Sequence, residues 1–543
     1  MNCGFPFLRS RKGMQRVVYI TDPEGNLGYF EECIKQSNGV YLEGGELQLR
    51  ESWTLVVRPA LPATRALAVA CWAGPQPERA QRLASPFASA HLHPCAGVCP
   101  QFGGDVCDKA EGSLRIARML ASAKKRYSER VQIICGNRDF NKLRLRLELS
   151  DAAMASEPAL PYGSPKNTIS YAAFLANLTA EQVPPPPKGG CLPPADALML
   201  PPAVYEALNT KPNRLRWTLD HTMGAQGEFE RRRLELQVVT GQAKVDDGQV
   251  VDSFLESVAE GGALLELLRH GQLVVCIDET LFVHGGLITA SYSKAGVKNA
   301  IDHPHTFAGA VVEEEGFEIA LGFVPGLSER VEDVKAWADK LNKWFRQAVS
   351  DSVTQPCKEP NASIAQQYVT YGNWPSVVMG RHLNDKSQPV PMPRSVTTAL
   401  LKSGFTRLVI GHTPHGNCPT VVPGHCQLIM ADTSYSNMSA PDNRGDAASI
   451  VEIEGARATV IGKLEDRTPI AYTVYSGQDV MRAAPGENHV LVGAGDFGGW
   501  FVKAKLASKN AGGEDEYLLC SVEGFKYQYR RLTESQVRAE IKL

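Results

Sequence analysis

Asp105 and Asn137 are the residues from which chemistry can first be read. Asp105 lies in the turn Gly104-Asp105-Val106-Cys107-Asp108, and Asn137 follows the apolar run Val131 to Cys135 about one helix later. Both offer hard oxygen donors at the ends of expected strands, where a metal site can be built. Three more strand ends carry the same kind of group. Asp22 and Glu24 stand two residues apart in Thr21-Asp22-Pro23-Glu24-Gly25-Asn26, so both carboxylates can face one cation; a capped turn accounts for them as well. His284 is followed by Gly285, Gly286 and Leu287, and the two glycines are expected to clear space for an approaching ligand. His412 and His415 close the series, a plausible imidazole pair for a metal.

The elements that must position these groups are short apolar strands. They are expected at Arg16 to Ile20, Val131 to Cys135, Leu273 to Ile277, Thr280 to Val283, Arg407 to Ile410 and Gln427 to Met430. A helix is predicted from Tyr29 to Gln36. Another is read from the spacing of Leu114, Ala117, Leu120 and Ala121, with Lys124, Lys125 and Arg126 near its C-terminal end, where cations suit the helix dipole. Residues 1–15 read as a flexible N-terminus. Residues 16–470 read as one catalytic domain, with a disordered Ala/Pro-rich insertion over 50–101 and a helical cap over 150–262 that holds the Pro-rich connector 183–190. Residues 471–543 read as a small β appendage. The Cys/His cluster His91, His93, Cys95 and Cys99 lacks a second ligand pair at a zinc spacing. Trp337, Leu341 and Trp344 are expected to pack one helix face into the core.

The net charge of −2 gives no electrostatic case for a nucleic-acid partner, and no run is long and apolar enough to span a bilayer. Thirteen scattered cysteines and a first stretch without an apolar signal region suggest reduced thiols and a cytoplasmic location.

Taken in order, the five strand-end motifs resemble those of the calcineurin-like metallophosphoesterases, which include the Ser/Thr phosphoprotein phosphatases. Gly104 to Asp108, His284 to Leu287 and Gly411-His412 match that pattern, and the loop Ser439 to Asp442 is similar to one that borders the site there. The resemblance implies an α/β (α+β) fold, a two-sheet β-sandwich flanked by helices, carrying two divalent metal ions (Mn, Fe or Zn) and hydrolysing phosphoesters. It further implies that Asp22 binds the first ion, that Asp105 bridges both, and that Asn137, His284 and His412 bind the second. The substrate would be a phosphorylated small molecule or a phosphoprotein.

Two departures from the pattern matter. Glu24 stands where the family has a histidine ligand, which adds negative charge and favours harder ions such as Mn or Mg. His415 could then lend an imidazole to the first ion. Arg138 stands where the family has the histidine that assists the leaving group. A guanidinium does not release a proton at working pH but can stabilise a phosphoryl oxygen. Asp139 or His415 would then supply any proton, with Lys142 and Arg144 as further anion-binding cations. The same departures support a rival: a metal-binding scaffold with impaired catalysis. A dinucleoside-polyphosphate or phosphodiester hydrolase is a third reading.

Overall fold

The computed structural model describes residues 15–50, 98–102, 104–161, 168–180, 200–290, 313–314, 317–354, 363–371, 374–384, 387–477, 490–495, 498–523 and 526–540. Two large sheets dominate. A ten-stranded sheet is centred on Arg16–Ile20, which pairs in parallel with Val98–Phe102 and antiparallel with Ala448–Glu454. A five-stranded sheet contains Val274–Ile277, Thr280–Val283, Arg407–Ile410, Thr420–Val422 and Gln427–Met430.

Period-2 alternation builds the sandwich. In one core cluster Val17 and Tyr19 meet Val275, Phe282, Val409 and Ile429 from the other sheet, and the rings of Tyr19 and Phe282 stack at 5.6 Å. Their sequence neighbours Val18, Ile20, Val274, Leu281, Leu408 and Leu428 point the other way, into a cluster shared with helices. Side chains of successive strand residues face opposite sides, so strands buried on both faces read as continuous apolar runs. The fold is thus a mixed α/β sandwich flanked by helices. Trp337 and Leu341 are fully buried in its helix-side core and Trp344 packs against it, on the helix Val334–Thr354.

Several boundaries differ from the sequence expectation. The first helix runs Leu27–Gln36, because Asn26 caps it by accepting the Tyr29 N–H at 2.8 Å. The tract 50–101 ends in a core strand, Val98–Phe102. Its Pro100 conceals that strand, since proline rarely sits inside a sheet. The remainder of that tract and the connector 183–190 lie outside the described residues, as do His91, His93 and Cys95. Strands Pro469–Tyr475, Trp500–Lys509, Asp515–Glu523 and Lys526–Thr533 form at the C-terminal end. They continue the ten-stranded sheet: Pro469–Tyr475 pairs along its whole length with Arg457–Lys463, and the last three strands join it through the single register pair Ile470–Leu506. Among the described residues no helix is long and apolar enough to cross a membrane, and seven cysteines are free thiols.

The helices of 151–257 have their own apolar centre, with Leu215, Leu219, Phe229, Val250 and Phe254 packed on Leu145 and Leu149. This cap is tied to the sandwich by polar contacts. Glu235 accepts the Leu114 and Arg115 N–H groups at 3.1 and 3.0 Å. It thereby closes the N-terminus of the helix Ser113–Tyr127, which has no side-chain cap of its own.

Candidate metal centre

The five motifs meet at one end of the sandwich. The turn after Arg16–Ile20 is laced to the turn after Val98–Phe102: the Asp22, Glu24 and Gly25 N–H groups donate to the carbonyls of Gly104, Asp105 and Val106 at 3.1, 2.9 and 2.8 Å. The turn after Gln132–Ile134 comes so close that a Cβ on Gly136 would lie 2.1 Å from Asp105 Oδ1, so only glycine fits there. Across the seam, both oxygens of Asp22 accept the His412 N–H, at 3.2 and 3.1 Å.

Asp105, His284 and His412 converge, with one ligand atom from each lying within 4.8 Å of the others. All three are buried. His284 Nε2 is 3.3 Å from Asp105 Oδ1 and 3.4 Å from Asn137 Oδ1, which places the Asn137 oxygen beside the group. His412 Nε2 has no hydrogen-bond partner among the described residues. Burial and the nearby Arg381 push the His412 imidazole well below its ordinary range, towards the neutral form that can ligate. Burial alone would raise the Asp105 carboxyl, but His284 and Arg138 hold it low and ionised. One ionised carboxylate, an amide oxygen and two imidazoles are a donor set that fits a divalent transition metal.

Glu24 lies elsewhere. Its carboxylate is ringed by cations: Lys109 at 2.7 Å, Arg138 Nε at 3.1 Å and Arg444 at 3.6 Å. Burial would raise its pKa, yet these three charges lower it. Among the described residues Asp22 makes no such ion pair. Burial and the facing Asp432 push it well up, while Thr21 Oγ1 donates to it.

The remaining expected site residues separate into two groups. Arg138 reaches the centre, 3.4 Å from Asp105 and from Asp108, and donates to the cap carbonyl of Gly224 at 3.0 Å. Asp139 sits beneath it, accepting the Val106 and Gly136 N–H groups at 2.7 and 3.1 Å; burial and Asp105 push its carboxyl up to about 6. Its bonds fix the Gly136 turn, a positioning task. Lys142 is fully buried and its three donors are used on Asp108 (2.8 Å), Asn141 Oδ1 (2.8 Å) and the Arg138 carbonyl (3.1 Å). None remains for a substrate. Arg144 is turned towards Glu148 at 2.7 Å and Thr222, with its guanidinium over the Tyr371 ring. His415 packs between Phe501 and Tyr527 and contacts Thr420 and Lys503. It belongs to the C-terminal strands and not to the donor group. Arg214 and Arg216 are bound within the cap to Asn209 and Asp247. The space beside Gly285 and Gly286 is filled by the chain itself: added Cβ atoms would meet the Val378 carbonyl at 2.2 Å and the His382 ring at 2.8 Å. These glycines admit a loop, not a ligand.

That loop supplies the residue the sequence does not reveal. Arg381 lies within electrostatic reach of Asp105, Asp432, Tyr435 and His412. It follows no strand and has no periodic neighbour, so its only sequence signal is a lone arginine after Gly380.

The sandwich and its strand-end donor group thus define a mixed α/β protein with a candidate metal centre. No family model matches the chain, and no curated protein matches it. Among solved structures it is similar to the cold-active protein-tyrosine phosphatase of a psychrophilic Shewanella sp. That likeness is 12% identical, covers 84% of this chain and 80% of that one, and has a TM-score of 0.37. A mutant of a cold-active protein tyrosine phosphatase gives 11% identity, the same coverage and a TM-score of 0.36. Likenesses this distant set neither fold nor activity, which rest on the chain's own residues.

Proposed function

We propose that the chain hydrolyses phosphoesters with a divalent ion held by Asp105, His284 and His412, with Asn137 as a further donor. The observation that supports this reading most is the buried convergence of those side chains, with a ring nitrogen of His412 left without a hydrogen-bond partner among the described residues. Mn, Fe and Zn all suit such a mixed oxygen and imidazole shell. A divalent ion bound there would supply Lewis acidity towards a phosphoryl oxygen and towards water. The chain's own cations do the rest. Arg381 and Arg138 flank the donor group, where they can bind phosphoryl oxygens and offset the charge that grows in the transition state. Asp22 holds the His412 backbone, and Asp139 holds the turn that carries Asn137 and Arg138, so both are positioning residues. The substrate class is a phosphomonoester, on a small molecule or a protein.

The engagement of Arg138 with Glu24 favours a second reading, a metal-binding protein with impaired catalysis. One assay separates the two. Protein stripped of metal and re-supplied with Mn, Zn, Fe or Mg is tested on an aryl phosphate. Metal-restored turnover that is absent in Asp105→Ala is the expected result. Full activity in metal-loaded Asp105→Ala would refute the site, and metal binding without turnover would favour the impaired protein.

A further inference from the structure

The sequence resemblance implies two ions, with Asp22, Glu24 and Asp105 around the first. We infer instead that the site takes one divalent ion per chain, and that the Arg138 guanidinium is the built-in cation standing between Glu24 and Asp105 where a second ion would sit. The inference rests on the phosphoester-hydrolase reading of the same centre.

Four observations carry it. Among the described residues, the group of three or more His, Cys, Asp or Glu side chains that converges is Asp105, His284 and His412; Asp22 and Glu24 do not join it. Arg138 Nε lies 3.1 Å from Glu24 Oε1 and 3.4 Å from Asp105 Oδ2, so one planar cation already bridges the two carboxylates. Arg138 is itself fixed from three further sides: Nη1 meets Asp108 at 3.4 Å and the Gly224 carbonyl at 3.0 Å, and its own N–H donates to Asp105 Oδ1 at 3.0 Å. Finally, Glu24 is not short of positive charge, since Lys109 and Arg444 also lie within 4 Å of it, and Ser434 Oγ donates to it at 3.1 Å. A divalent ion entering there would meet three cationic heads and would have to evict a guanidinium held by four contacts.

The two departures from the family pattern are then one change. A histidine ligand can hold a metal but cannot pair with an arginine. Glutamate can do both, and paired with Arg138 it replaces a mobile double charge with a fixed single one. With Nε and Nη1 of this fixed cation engaged, Nη2 is the end of its planar fork suited to a phosphoryl group that also contacts the ion.

Metal stoichiometry tests this independently of turnover. Full-length protein is stripped with a chelator, dialysed against Mn(II), and its metal content measured, while Mn(II) electron paramagnetic resonance separates isolated ions from exchange-coupled pairs. The expected result is one ion per chain with an isolated-ion signal. The count should stay at one in Glu24→Gln and be lost in His284→Gln. A double variant, Glu24→His with Arg138→His, should take up a second ion and show coupling. Two coupled ions in the unaltered protein would overturn the inference yet leave the hydrolase reading intact. A count that falls to zero in folded Glu24→Gln would also overturn it, by making Glu24 a ligand. No bound ion at all would remove both.

Discussion

Lys142 offers the sharpest test of how charges are arranged here, because sequence and structure assign it opposite roles. A lysine in the cluster Arg138, Lys142 and Arg144 reads as an anion-binding residue, whereas the structure buries it completely. Lys142→Met keeps the volume of the stem and deletes the ammonium. It leaves the Asp108 carboxylate, also fully buried, with Arg138 Nη1 at 3.4 Å as its remaining ion-pair partner. Breaking a buried pair costs about 3–5 kcal/mol, and the surviving Arg138 contact puts this case towards the lower end. The carbonyl of Arg138 and the Asn141 side chain each lose a donor, at about 1 kcal/mol apiece. The sum is about 5 kcal/mol, a large part of the roughly 5–15 kcal/mol by which domains are stable. Equilibrium urea unfolding should show a lower midpoint with an unchanged slope. Lys142→Met combined with Asp108→Asn should recover more than half of the loss, since the unpaired charge is then gone. A loss below about 1 kcal/mol would refute the reasoning, given what a severed buried pair costs. A raised KM with the midpoint unmoved would do so too, and would return Lys142 to substrate binding.

Two further outcomes follow from the same geometry. Arg381→Ala should lower kcat for an aryl phosphate by about 10²–10³-fold, the usual cost of one preorganised donor, with the metal content unchanged; wild-type kcat in that variant would exclude Arg381 from the site. Glu228 in the cap gives a pH signature. Burial, then the nearby Asp108, pushes its carboxyl up to about 8 from an ordinary 4.5, while its Oε1 accepts the Ser113 hydroxyl at 3.2 Å. A carboxyl raised in the folded state contributes stability that is full below its ordinary pKa and is lost as pH rises towards 8. Each unit of separation is about 1.4 kcal/mol. Glu228→Gln should therefore melt higher than wild type at pH 8 and show little advantage at pH 4; equal shifts at both values would contradict the assignment.

What could be read from the sequence was set by local pattern. Val17 to Ile20, Leu408 to Ile410 and Leu428 to Met430 are apolar on both faces, so their strand character is explicit, and a Gly-Asp or Gly-His pair at the end of such a run marks the donors. The occupants of the ion pairs were not legible. Glu24 is neutralised by Lys109, Arg138 and Arg444, residues 85 to 420 positions away, and no spacing rule connects them. Whether a cation points to solvent, substrate or a buried carboxylate is a tertiary fact, which is why the spacing of Lys142 and Arg144 suggests anion binding while both side chains pair with buried carboxylates. Gly285 and Gly286 posed the same problem. Glycine reports a close approach, but not whether a ligand or another stretch of the chain makes it.

Backbone conformation argues that the Glu24 network belongs to the site and is not an ordinary salt bridge. Asp22, Glu24, Asp105, Asp108, Lys109 and His412 all have positive φ, between 47° and 78°. A residue with a Cβ is disfavoured there by roughly 1–2 kcal/mol, so each is held by its surroundings. Three of the six, Asp22, Asp105 and His412, form the seam and the donor group. The other three, Glu24, Asp108 and Lys109, contact no member of the ligand triad through an ion pair, yet they adopt the same uncommon conformation. What they share is Arg138 or its partner: Glu24 and Asp108 grip its guanidinium, and Lys109 grips Glu24. A surface ion pair would not need a disfavoured backbone at both ends. Strain distributed equally over the seam with its candidate donors and over the arginine's cradle is what is expected if the scaffold positions two cations for one reaction, one brought in from solution and one supplied by the chain.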